Sequence, residues 1–364
     1  MSSSRYSATL PKNYAFFSSL SSSPVLPVFP VVQFAVVLLA LLPMMGCRRD
    51  SSQRVVVYCA HDREFAEEIL KDFDKQSGLK VDVRWDTEAN KSVGLYEDLI
   101  RETDQPRCDV HWNNEILATI RLQEKGILGA YASPSAAPYP APFKAKDHTW
   151  TAFAARARVL IVNSDKVKPV DFPKSLWDLT EPRWKGQVAM AKPLFGTTAT
   201  QAACLFQSWG KERATDFYRK LHTNDVQLVA GNKQVAVGVG SGQYAIGMTD
   251  TDDAMAEIDE KRPVAMLFPV GETLFIPNTV AMIKGCPNPD GAKKLIDYLL
   301  SPAVEIKLAK SASKQIPLNP EVKLASLKPI ETPQTVRALP VDFAEAAASW
   351  KESQEFLVQE FGLR

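Results

Sequence analysis

The chain has 364 residues, 45% of them hydrophobic and 23% charged, with 43 Lys and Arg against 42 Asp and Glu and a formal charge of +1. This is globular composition, which excludes a disordered chain or a collagen-like repeat. The balanced charge, with no block of one sign, argues against nucleic-acid binding and against a charged tail. The length fits two domains, each with room for a sizeable core.

The first 46 residues hold Arg5 and Lys12 but no acid; the first is Asp50. A Ser-rich start leads into VVQFAVVLLALL (31–42) and PMMGCRRD (43–50). A basic start, a short apolar core and small residues before a cut site describe a secretory signal. The apolar run Phe34–Leu42 is far shorter than the roughly 20 residues of a spanning helix. Pro27, Pro30, Gln33 and Pro43 interrupt the wider stretch. The MMGC ending resembles a bacterial lipoprotein signal, which implies a signal over 1–46 and a lipid on Cys47. Simple cleavage and an uncleaved anchor are the alternatives.

The next segments alternate in type. VVVYC (55–59) is a continuous apolar run, the mark of a buried strand. In 61–78, Phe65, Ile69, Leu70 and Phe73 recur at helical spacing, and Gly78 is a stop signal. A strand (79–85), helix (94–102), strand (108–112) and helix (115–126) follow. Strand–helix alternation implies a parallel sheet with crossover helices. The Pro/Ala-rich stretch 132–143 reads as a surface excursion. A long strand spans 150–163. Beyond it lie a short helix and turn (174–186), a strand (187–191), helices (197–210 and 212–222), a strand (225–230), a helix (232–242), a strand (243–249), a helix (252–261) and a strand (263–269). The run 273–283 is another strand. Helices at 289–301, 302–311 and 342–361 close the chain. The α/β segments thus form two runs, 54–150 and about 160–265, crossed by long strands. That pattern suggests a cleft with a bending hinge.

Export makes disulfides possible. Cys59 ends one strand and Cys108 begins another, so in neighbouring parallel strands they lie about 15 Å apart, beyond the ~7 Å limit between Cα atoms. With no C-x-x-C and no Cys/His cluster, a zinc site is not expected.

The stretches VVVYCAHDREFAEEILKDFDKQSGLKVDV (55–83), RCDVHWNNEILATIRLQEKGIL (107–128), ARARVLIVNSDKV (155–167), SLWDLTEPRWKGQVAMA (175–191), GQYAIGMTD (242–250) and FIPNTVAMIKGCPNPDGAKKLIDYLLSPAVE (275–305) resemble the family 1 extracellular solute-binding proteins of ABC transporters, specifically their ferric-iron-binding branch. The resemblance spans about 54–316. It implies an α/β, two-lobed, periplasmic-binding-protein-like (type II) fold. The expected lobes are 54–155 with 270–317, and 156–269, followed by a C-terminal helical extension, 318–364. It also implies delivery of a ligand to ABC permease and ATPase subunits, a periplasmic or cell-envelope location and no chemical reaction. A monomer without a nucleic-acid partner is expected.

Loops at strand C-termini are the expected ligand site in open parallel sheets. Four constellations stand there, each with a plainer structural reading. Asp62, after the first strand, occupies the position of a metal-ligating His in iron-binding relatives, with His61 beside it; it could equally cap the following helix. Asn114 occupies the family's acidic position and Glu115 follows it; a carboxylate at a helix start is also favoured by the macrodipole alone. Gly196-Thr197-Thr198 opens a helix, where exposed amides attract anions. The resemblance implies that this turn and Asn232 hold a synergistic anion of the phosphate or carbonate type; simple capping by Thr is the alternative. Asp250-Thr251-Asp252-Asp253 replaces the relatives' consecutive tyrosines, Thr251 and Asp252 standing at those two positions. Three Asp in four residues suit a hard cation and need a partner such as a metal, an Arg or Lys, or helix amides. A cap by Asp250 or Thr251 is the bland reading. Arg156 could hold an anion or carboxylate. Arg158 is equally placed, and one of the two is expected to face solvent.

The expected ligand is Fe³⁺ or another hard metal ion, held by Asp62, Asp250 and Asp252. The alternatives are an organic or phosphorylated solute (phosphonate, polyamine or sugar phosphate) and an exported metal-dependent hydrolase. Nucleophilic catalysis finds little support, since there is no G-x-S-x-G, and without a G-x-x-x-x-G-K-[ST] the chain is not read as the ATPase subunit.

Overall fold

Residues 53–86, 93–323, 331–333 and 335–363 are described in a computed structural model; the leader and Cys47 lie outside the described residues. The described residues fall in one unit, Asp50–Arg364. Its first apolar run forms β1 (Arg54–Cys59), and the alternating segment after it forms β2 (Lys80–Trp85). Between them α1 (Arg63–Ser77) buries Ala66, Ile69, Leu70 and Phe73 and ends at Gly78, whose φ of 70° suits a residue without a Cβ. Then come α2 (Gly94–Arg101), β3 (Val110–Asn113), α3 (Ile116–Glu124), β4 (Leu128–Gly129) and the fully buried β5 (Trp150–Asn163).

The second run gives β6 (Val188–Ala191), α4 (Gly196–Trp209), α5 (Lys211–Thr223), β7 (Gln227–Val229), α6 (Asn232–Gly240), β8 (Ile246–Asp250), α7 (Thr251–Asp259), β9 (Val264–Leu267) and β10 (Leu274–Ile283). The helix expected within 174–186 is two 3₁₀ turns, Leu176–Thr180 and Pro182–Trp184. Pro182 supplies no N–H to continue the first. α8 (Pro289–Leu299) and α9 (Pro302–Lys310) follow. The single helix expected over 342–361 is broken at Ser349 into α10 (Phe343–Ala348) and α11 (Trp350–Phe361).

The described strands form one mixed sheet in the order β2-β1-β3-β10-β5-β8-β6-β7, with β4 on β10 and β9 on β5. The parallel pairs lie on its two flanks, β1 with β2 and β3, and β6 with β7 and β8. The antiparallel β5 and β10 join the flanks. Residues 150–158 of β5 pair with β10, and its distal part pairs with β8 and β9. The register slips opposite Pro277 and Asn278, where Ala154 stands as the extra residue with φ 43°. A bulge of this kind bends a strand. Ala155 also pairs with Ile316, so a third strand of chain passes this bend.

Cys59, Cys108, Cys204 and Cys286 are buried free thiols. In the parallel β1–β3 pair Cys59 stands opposite Trp112, four residues past Cys108.

His111, in β3, is buried, and neither ring nitrogen has a hydrogen-bond partner. Burial pushes its imidazole down to about 4. The unfolded chain, titrating near 6.5, therefore takes up the proton first. Stability should be unaffected above about pH 6.5 and fall by up to about 3 kcal/mol as pH drops from there to about 4. Urea unfolding at about pH 7.5 and 5 measures this, with a loss of about 2 kcal/mol expected at the lower pH. His111→Leu should flatten that slope.

Candidate ligand-binding site

A cavity of about 990 Å³ opens where β1, β3, β6 and β8 end and α1, α4, α6 and α7 begin. Asp62, Asn114, Arg156, Gly196, Thr197, Thr198, Asn232, Asp250 and Asp252 all line it. Four helix N-termini thus meet at one space, and none has a side-chain cap bond. The N-cap residues are Asp62 for α1, Phe195 for α4, Gly231 for α6 and Asp250 for α7. At Asp62 and Asp250 the capping bond allowed for in the sequence is therefore not made. At α7 the Asp253 amide donates to Asp252 Oδ1 at 3.2 Å; at the other three starts, first-turn amides and the positive end of the macrodipole favour an anion. At Gly196 the chain takes φ 60° with no heavy atom within 4 Å of where a Cβ would stand.

The expectation that Arg156 or Arg158 faces solvent is wrong. Residues i and i+2 of a strand point to one face, and each guanidinium is buried beside a carboxylate. Arg158 Nη1 pairs with Asp250 Oδ1 at 2.9 Å, and Arg156 Nε with Asp252 Oδ2 at 3.3 Å. Arg156 also donates to the Asn114 carbonyl (3.1 Å) and contacts His61 Nδ1 (3.1 Å). Burial opposes its charge, but Asp252, Asp250, Asp62 and Asp253 outweigh that and raise its pKa. One oxygen from each of Asp250, Asp252 and Asp253 lies within 4.8 Å of the others, so the acidic trio does converge. Two of its members, Asp250 and Asp252, are the ion-pair partners of these arginines.

Two sequence candidates stand outside the cavity lining. The Glu115 carboxylate is turned into the fold as the cap of α3. It accepts from Leu117 N (2.7 Å), Ala118 N (2.9 Å) and Thr200 Oγ1 (2.8 Å). Burial raises its pKa against the pull of those bonds. Thr251 Oγ1 accepts from Ala157 N at 3.2 Å, tying α7 to β5. His61 packs on Trp112, with ring centroids 5.4 Å apart. Sequence reasoning passed over Arg63, Lys192, Lys233 and Arg262, which also line the cavity. Lys192 directly follows β6, so the strand-end rule could have found it. Among the described lining residues there is no Tyr and no His.

The profile of the bacterial extracellular solute-binding proteins matches residues 118–347. Iron uptake protein A1 of Synechocystis is 24% identical over 288 residues, 74% of this chain and 79% of its own. Iron-bound HitA of Pseudomonas aeruginosa has the same fold at a TM-score of 0.76 and 20% identity, over 84% of this chain and 99% of that one. AfuA of Actinobacillus pleuropneumoniae, solved with fructose 6-phosphate bound, matches at 0.75 and 24% identity, over 85% and 99%. The two-lobed fold, the cleft at the strand ends and the profile match agree: the chain belongs to the bacterial extracellular solute-binding proteins, on the branch that includes the ferric-iron-binding proteins, and is an exported, non-enzymatic component of an ABC importer that works with permease and ATPase subunits.

Proposed function

We propose that the cargo is a small organic phosphate or phosphonate, with its anionic group at the helix N-termini and Arg156 and its polar remainder toward Asp62 and Asp253. The observation that carries this reading is the pairing of two buried cleft acids. Asp250 and Asp252 are each paired with a buried arginine. A trivalent cation is held by an excess of anionic oxygen, as hard cations are. Here it would approach the Arg156 guanidinium and the positive ends of α1, α4 and α6, where a phosphate meets favourable charge. The cavity volume suits a solute of many atoms. AfuA, with fructose 6-phosphate bound, shares the fold.

The convergent trio Asp250, Asp252 and Asp253 favours a second reading, Fe³⁺ with an anion at Gly196–Thr198. That reading needs both arginines to release their partners, and places Asp62, Asp250 and Asp252 on the metal.

Thermal unfolding of Asp50–Arg364 separates the two. Fructose 6-phosphate or 2-aminoethylphosphonate at 100 times its Kd should add about 2.7 kcal/mol, fructose alone nothing, and Fe³⁺ citrate nothing beyond citrate. A shift with Fe³⁺ and none with any phosphorylated compound would reverse the choice. Arg156→Met should weaken the phosphate-dependent shift by about 2 kcal/mol, the worth of a charged hydrogen bond.

A further inference from the structure

We propose that Arg158 is the positioning residue of the cleft: it does not reach the cavity, yet it holds Thr197, Asn232 and Asp250, three cavity-lining groups from three elements, in one constellation. The three come from the start of α4, the start of α6 and the end of β8. The Arg158 side chain is only 1% exposed and is not among the cavity-lining residues. Nη1 reaches Asp250 Oδ1 at 2.9 Å, Asn232 Oδ1 at 3.0 Å and Thr197 Oγ1 at 3.5 Å. Nε donates to Gln201 Oε1 at 3.0 Å, one turn along α4, and so fixes the guanidinium plane.

The three held groups also close on one another. Thr197 Oγ1 donates to Asp250 Oδ2 at 2.5 Å, and Asn232 Nδ2 donates to Thr197 Oγ1 (2.9 Å) and Asp250 Oδ2 (3.0 Å). Thr198 Oγ1 donates to Asn232 Oδ1 at 3.1 Å, bringing a second residue of the α4 turn into the set. With their side chains committed to each other, Thr197 and Thr198 are left to offer the cavity chiefly their backbone amides. Those amides point correctly only while the two helix starts keep their spacing.

Arg158 sets that spacing from β5, where it stands opposite Asp250 of β8 and opposite Leu274 of β10. The binding face of the second flank is thereby registered to a strand that both flanks share. The guanidinium bonds from two nitrogens of one rigid plane, Nη1 toward the cleft groups and Nε toward Gln201, which the single nitrogen of a lysine does not. Nη2 is buried with no partner, a cost expected where geometry at a site, rather than stability, is what the side chain provides.

This inference rests on the cavity being the ligand site but not on the identity of the cargo. Two readouts test it. In titrations with fructose 6-phosphate, Arg158→Lys should bind at least 30-fold more weakly. Asn232→Ala should cost about tenfold in the native background and nothing further beside Arg158→Lys, because the constellation is already lost. Additive losses, or native affinity in Arg158→Lys, would overturn the proposal. Without any ligand, hydrogen exchange in 196–199 and 233–236 should accelerate in Arg158→Lys while β1–β3 keep their protection; unchanged or uniformly raised exchange would overturn it too. Should the Lys variant not fold, Arg158→Met with Asp250→Asn removes both charges together and is read by the same exchange pattern. If fructose 6-phosphate fails to bind the native protein, the cargo reading falls, and the exchange pattern still decides the role of Arg158.

Discussion

Replacing Glu305 by alanine is expected to cost about 4 kcal/mol of stability. The Glu305 carboxylate, on α9, is fully buried. It accepts from the backbone N–H groups of Ala154 (2.6 Å), Leu318 (3.0 Å) and Asn319 (2.7 Å). Its pKa is raised by burial and pulled back by these same bonds. Ala154 is the bulge residue held at φ 43°, a conformation that costs a non-glycine residue about 1–2 kcal/mol. Its carbonyl is held from the other side by Asn278 Nδ2, which also donates to Gln315 Oε1 at 2.9 Å. Alanine at 305 would leave three buried donors without an acceptor, each worth about 1–3 kcal/mol, offset in part by entering water. Glutamine keeps the volume and one acceptor oxygen, so Glu305→Gln should lose about 2 kcal/mol. Urea unfolding of both variants checks this; values within about 1 kcal/mol of the native protein would show that the bend does not depend on the carboxylate.

Removing the chain from Asp342 onward is expected to cost about 5 kcal/mol, from the apolar surface it covers. α10 packs on α3 and α4, and α11 packs on α4 and α5, so this segment touches helices from both runs of the chain. Leu357, Ala346 and Ala347 are buried. Phe356 lies against Phe206 and Phe361 against His222, with ring centroids 5.8 and 5.2 Å apart. The Arg121 guanidinium sits 4.9 Å from the Trp350 ring. Leu357→Ala alone should account for about 3 kcal/mol. The exposed pair Lys211–Glu352 should contribute little, and Lys211→Ala should stay within about 0.5 kcal/mol of native. If the shortened chain unfolds at the same urea concentration as the full unit, the packing of α10 and α11 is not what stabilises it.

Much of this architecture is written locally. Val55–Cys59 has no polar alternation, and α1 carries its stripe and its Gly78 stop, so both can be read from a few residues. The cleft is legible for the same reason: in a sheet with parallel flanks, Asp62, Asn114, Gly196 and Asp250 must stand where strands end. What escaped depends on pairings between distant segments. That Arg158 faces Asp250 follows from the register of β5 on β8, set by residues about 90 positions apart. The extra residue at Ala154 has no glycine to announce it, because Glu305 and Asn278 hold it from outside the strand. Glu115 looked like a ligand because it is the acid next to the family's acidic position, held here by Asn114, but its carboxylate is taken by the amides of its own helix. The break at Ser349 is equally silent, since EAAAS and WKES read as one amphipathic run; the Ser349 hydroxyl donates back to the Glu345 carbonyl there.

A cleft that seats an anionic group, as proposed, differs from a ring of unpaired carboxylates in what it does to a bound phosphate. The ³¹P resonance of fructose 6-phosphate, followed as Asp50–Arg364 is added, reports on that seat directly. The line should shift and broaden, saturate at one equivalent, and return to the free position in Arg156→Met. A line that stays at the free position with protein in excess would contradict the proposed seat.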